Sequence, residues 1–192
     1  MTKRITKLMA ALALLVSLAI PMGVWGQTRS EVVTYTLDGT ETGGSNGYAT
    51  ESEITQGGIT WMVTGNTTMN PWRIGGKNLN GVDRPLYSTS TIANNITKVV
   101  VTNGTANLTV HSMTLIVSAN ADFSNPTSTV SGTWASSSTT TFERPAEADW
   151  TNMYFKLVYN VTAGSSNQYA QFIQADFLLF VIYTHVLKDL QR

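Results

Sequence analysis

The chain has 192 residues, room for one domain and little for two. Only 12% of them are charged, against roughly a quarter in an average soluble domain. This excludes a charge-rich disordered tail, and without any cluster of Lys and Arg it excludes a phosphate-neutralising nucleic-acid binder. Cysteine is absent, so disulfides, thiolate metal sites, cysteine nucleophiles and lipoprotein acylation are excluded together.

The chain opens on MTKRITK, passes through LMAALALLVSLAI and ends the segment with PMGVWG. A basic start, an apolar middle and small residues at the end are the three parts of a secretory signal. Pro21 and Gly23 break the helix, and Val24 and Gly26 offer small residues for a peptidase, so cleavage is expected after Gly26. The alternative is an uncleaved anchor, for which the apolar run is marginal in length. Lys3, Arg4 and Lys7 leave with the signal, so nine of the 12 basic residues would face 12 acidic ones, a mature charge of −3.

Strands are expected at Val32–Leu37, Ile59–Val63, Trp72–Ile74, Leu86–Thr89, Lys98–Thr102 and Leu108–Ser118, the last as one bent strand. A long polar loop carrying Gly39, Gly43, Gly44 and Gly47 follows the first. Thr129–Ala135 and Thr139–Phe142 read as a pair joined by a serine turn. Tyr154–Val161 alternates, with Phe155, Leu157, Tyr159 and Val161 on one face and Lys156 and Asn160 on the other. Tyr169–Phe177 closes the series. No segment from Arg29 to Gln168 has a helical period, so a parallel α/β fold is excluded and an all-β antiparallel β-sandwich (jelly roll) is expected over residues 27–177. Residues 178–192 form an apolar tail. Phe177–Tyr183 is too short to span a bilayer and extends the last strand by a few residues, and Val186, Leu187 and Leu190 are spaced for a short C-terminal helix from about Thr184.

Two stretches, KVVVTNGTANLTVHSMTLIVSANADFSNP (Lys98–Pro126) and YFKLVYNVTAGSSNQYAQFIQADF (Tyr154–Phe177), resemble the second half of galactose-binding-like jelly rolls, the discoidin-type β-sandwich. NPWRIGGKNLNGVDRPLYS (Asn70–Ser88) is similar to segments of small secreted proteins of Gram-negative gut anaerobes with this architecture. The resemblance implies a fold rather than a function, because the fold hosts lectins, lipid binders, accessory modules and adhesins. No binding residue carries over from it.

Catalytic constellations are missing. His111 falls within a strand and His185 near the end, with no tight nucleophile turn beside either, so both read as packed or surface histidines. Glu51 with Glu53, or Glu143, Glu147 and Asp149, are carboxylates close in sequence, which does not set the separation glycoside cleavage needs; they read as solvated charge. Gly75-Gly76-Lys77 lacks the spacing of a phosphate loop. Asp38, Gly39 and Glu41 read as an ordinary turn rather than a calcium site, and no cofactor or metal is expected. Asn66, Asn95, Asn103, Asn107 and Asn160 begin N-x-Ser/Thr triplets, taken as incidental in a Thr- and Asn-rich chain with a bacterial-type signal.

Sugar-binding surfaces stack pyranose rings on flat side chains and ring them with polar groups. Trp72, Arg73, Lys77, Asn78, Arg84 and Tyr87 form the densest mix of that kind, and Tyr48 sits in another long loop. Against this, Trp61, Trp72, Trp134 and Trp150 each also read as core residues. The expectation is a secreted, non-catalytic binding module of the periplasm, outer surface or extracellular space, with no membrane span left after cleavage. Its expected ligand class is carbohydrate. The alternative is a structural or adhesive surface protein whose partner is another cell-surface protein.

Overall fold

The computed structural model describes residues 27–75, 79–163 and 168–184. The chain divides into two units, residues 31–180 and a unit formed by residues 1–30 with 181–192. Of the second unit only residues 27–30 and 181–184 are described, as strand ends. The expected signal segment and the expected C-terminal helix fall outside the described residues, as do Lys77, Asn78 and His185.

Eleven strands and no helix are found among the described residues: β1 (Gln27–Asp38), β2 (Glu51–Gln56), β3 (Ile59–Thr64), β4 (Trp72–Gly75), β5 (Leu79–Ser88), β6 (Lys98–Ala106), β7 (Thr109–Ser118), β8 (Ser128–Gly132), β9 (Thr139–Glu143), β10 (Tyr154–Ala163) and β11 (Tyr169–Thr184). They form two antiparallel sheets. One runs β1-β11-β6-β9 with β4 also against β11, and the other runs β2-β3-β5-β10-β7-β8. Apart from the β2–β3 and β7–β8 hairpins, each connection passes from one sheet to the other, which makes residues 31–180 a two-sheet sandwich.

The alternation expected in β10 is observed. Phe155, Leu157, Tyr159 and Val161 are buried in the core, while Tyr154, Lys156 and Asn160 face outward; Val158, on the outward row, is buried as well. Tyr35 of β1 and Phe177 of β11 meet Trp61 of β3 and Phe155 of β10 across the core. Ring centroids lie 6.0 Å apart for Tyr35–Trp61, 5.6 Å for Trp61–Phe177 and 5.2 Å for Phe155–Phe177. The Trp61 indole N–H donates to the Tyr35 phenol at 2.7 Å, and the Trp150 indole donates to the Ser128 hydroxyl at 2.9 Å. Both indoles thus have their polar atom satisfied, as the low dielectric of a core requires, whereas the buried indole nitrogen of Trp134 has no partner. Burial and then the Glu41 charge raise the Tyr35 phenol, and the Trp61 hydrogen bond lowers it; the net effect pushes it up to about 12.

Two expectations change. No strand is expected between the glycine-rich loop and Ile59, yet β2 pairs along its whole length with β3, from Glu51 opposite Thr64 to Gln56 opposite Ile59. The turn between them is Gly57-Gly58 with φ of 55° and 79°, the two positive values that a tight two-residue hairpin demands. β8 and β9 are not a pair. β8 pairs with β7, and β9 with β6 in the other sheet. The serine turn between them crosses the sandwich, pinned by hydrogen bonds from Ser137 N–H to Gly104 C=O and from Asn103 N–H to Ser138 C=O. The expected extension of the last strand is observed: β11 continues past Phe177 to Thr184, and Leu178 lies opposite Lys98 and is buried.

Candidate functional site

The segment from Trp72 to Tyr87 does not assemble into one surface, and strand geometry is the reason. Successive side chains of a strand point to opposite faces, and β4 and β5 lie in different sheets. Trp72 is fully buried; it stacks on Phe172 at 5.6 Å and donates its indole N–H to the Glu41 carbonyl at 2.7 Å. It presents no ring face to a ligand. Arg73, next along β4, turns to the opposite face, where its guanidinium lies 4.2 Å above the Tyr169 ring.

Arg84 of β5 points into the sandwich, is 7% exposed, and sits opposite Tyr159 in the β5–β10 register. Its Nε is buried with no hydrogen-bond partner, and burial lowers its pKa. Tyr48 is half-buried in the β1–β2 loop and does not line the cleft described next. Of the described candidates, Tyr87 alone lines that cleft.

Tyr87 faces outward from β5, directly opposite Lys156 of β10 on one side and Met62 of β3 on the other. Over this row hangs the β7–β8 loop. Ala121, Asp122 and Phe123 of that loop, with Glu51, Pro85, Tyr87 and Lys156, line a concavity of about 300 Å³. Phe123 forms its roof. The ring lies edge-on to Tyr87 at 6.1 Å and to Tyr154 at 6.4 Å, and the Lys156 ammonium sits 5.2 Å from its centroid.

Phe123 has φ of 58°, a left-handed conformation that costs a bulky L residue about 1–2 kcal/mol. The loop holds it there. Phe123 N–H donates to the Asn120 carbonyl at 3.0 Å, the Asn120 side-chain amide donates to the Ser124 carbonyl at 2.9 Å, and both the N–H and hydroxyl of Ser124 donate to Asp122 Oδ1, at 2.9 and 2.7 Å. Those Ser124 donors, the hydroxyl first, hold the Asp122 carboxyl below its usual range, so it stays ionised. Burial and then the Glu51 charge push the Tyr87 phenol upward. A rigid aromatic roof, two carboxylates and one ammonium around a shallow hollow suit a ligand with an apolar ring face and polar substituents.

Phe123, Tyr154, Lys156, Glu51 and Asp122 were not singled out as binding residues from the sequence. The legible signal for Phe123 was an aromatic residue in the turn-rich ANADFSNP, where a solvent-facing loop gives a large apolar side chain no core to join. The Asn-x-Ser/Thr triplets are not equivalent surface sites. Asn103 lies in the core, its amide donating to Thr140 at 3.1 Å and its carbonyl accepting from the Tyr159 hydroxyl at 3.2 Å, and Asn66 is also buried. His111 is exposed on β7, hydrogen-bonded to the Thr162 hydroxyl. Among the described residues no three His, Asp or Glu side chains converge as metal ligands.

No protein-family model, curated protein or solved structure matches the chain.

Proposed function

We propose that this chain is a secreted, non-catalytic binding module whose ligand class is carbohydrate, with the cleft under Phe123 as its binding site. One observation carries the reading. A bulky aromatic side chain is held in a strained backbone conformation over an outward-facing concavity, beside two more half-exposed aromatic rings. Backbone strain of this kind persists where surrounding structure enforces it, and sites of ligand contact are where it concentrates. Rings fixed before the ligand arrives bind without the entropy cost of ordering them.

The secretory signal at residues 1–26 supports an exported protein. Strands that pass from sheet to sheet accord with the galactose-binding-like, discoidin-type jelly roll that Lys98–Pro126 and Tyr154–Phe177 resemble. That fold is compatible with sugar binding and does not specify it.

A glycan array probed with the wild-type protein and with Phe123→Ala tests the reading. The expected outcome is binding to one glycan class that the substitution abolishes while the melting temperature holds. Absence of binding to every glycan, with a second cell-surface protein recovered instead, would favour the structural or adhesive role.

A further inference from the structure

The charges around the cleft are lopsided. Glu51 and Asp122 both line it, and Lys156 is the one cation among the described lining residues. Lys156 is engaged with the Phe123 ring face. Neither carboxylate has a cationic partner within ion-pair distance; among the described residues the ion pair found is Lys98 with Glu31. Both Ser124 hydrogen bonds to Asp122 go to Oδ1. The rings of Tyr87, Phe123 and Tyr154 add the negative faces of their π-systems, and one of them already attracts an ammonium group.

We propose that the glycan unit seated in this cleft is a protonated amino sugar, its ammonium directed to Glu51 and Asp122 and its C–H face to the aromatic rings. The proposal rests on the carbohydrate reading above and narrows it. An ammonium gives charge-assisted hydrogen bonds to carboxylates, which a hydroxyl or an acetylated nitrogen makes more weakly. A uronate places a third carboxylate beside two, with Lys156 alone to offset them.

The test is calorimetric titration of the protein with three oligosaccharides of equal length, built from glucosamine, N-acetylglucosamine and galacturonic acid, in mildly acidic buffer at low and high salt. The glucosamine oligomer is expected to bind about tenfold more tightly than its acetylated counterpart at low salt, an advantage the size of two exposed ion pairs. High salt should shrink the advantage. Glu51→Gln and Asp122→Asn should each reduce it, whereas Glu143→Gln, an exposed acidic side chain on β9 of the other sheet, should not. Equal or tighter binding of the acetylated or uronate oligomer overturns the amino-sugar assignment and leaves the carbohydrate reading standing. So does an equal loss with Glu143→Gln, because attraction would then follow net charge rather than the cleft. If none of the three oligomers and no glycan on the array binds, the carbohydrate reading falls and this proposal falls with it.

Discussion

Tyr154 and Phe155 are neighbours in β10, yet they belong to two aromatic groups with opposite physical roles. Phe155 points inward and meets Phe177 and Trp150 edge-on, at 5.2 and 5.9 Å, in a core where its side chain is fully buried. Tyr154 points outward and packs against Phe123, which with Tyr87 lines the half-exposed cleft. Both groups use ring edges against ring faces at similar spacing. What separates them is water. The inner rings contribute the hydrophobic term of folding, whereas the outer rings keep part of their surface wet, and that area stays available to a ligand.

The comparison breaks first at Trp72. Counted with the inner group, Trp72→Ala should cost about 3–5 kcal/mol of stability. Urea unfolding measures this, and a loss below about 1 kcal/mol would return Trp72 to the surface class. Tyr35→Phe is a smaller intrusion. It removes the acceptor of the Trp61 indole N–H and leaves a buried donor unsatisfied, an expected loss of about 1–3 kcal/mol.

The same variant carries a pH test. The folded-state phenol of Tyr35 is raised from 10.0 to about 12, so its contribution is intact below pH 10 and lost as pH rises toward 12, where the unfolded chain releases a proton the folded chain retains. Tyr159, fully buried and also raised by burial, acts in the same direction. Wild-type stability should therefore fall above pH 10, and Tyr35→Phe should fall less steeply. Identical alkaline slopes would contradict the assignment.

Arg84→Met sharpens the boundary from the inside. A buried guanidinium with an unpartnered Nε is a cost to the fold, so an apolar side chain of similar length should leave stability unchanged or raise it by about 1 kcal/mol. A loss of more than about 2 kcal/mol by chemical denaturation would show that the charge is paired. The smallest effect on folding is expected outside. Tyr87→Ala should change stability by less than about 1 kcal/mol while removing the glycan binding expected on the array. A large stability loss there would place Tyr87 with the core.

Local pattern settled much of this protein without any knowledge of the fold. The alternation in Tyr154–Val161 determined which side chains of β10 face the core, because a strand has a period of two whatever it pairs with; Val158, on the outer row, is buried by its neighbours there. The absence of a helical period, with turn residues recurring between short β-branched runs, determined an all-β sandwich. The Gly57-Gly58 pair is the hairpin signal from which β2, absent from the expected strands, could have been found. Partner choice was not legible. Thr129–Ala135 and Thr139–Phe142 are joined by a turn that suits a hairpin, but β7 and β6 compete for those strands and win in separate sheets. The site was decided at the same level. Trp72, Arg73, Arg84 and Tyr87 are close in sequence, and the sandwich sends them to a core, an outer face, an inner face and a cleft. Phe123 reaches that cleft from 36 residues beyond Tyr87. Periodicity fixes the direction of a side chain relative to its own strand; which strand lies beside it depends on the packing of the whole sandwich, where contacts distant in sequence outweigh local preference.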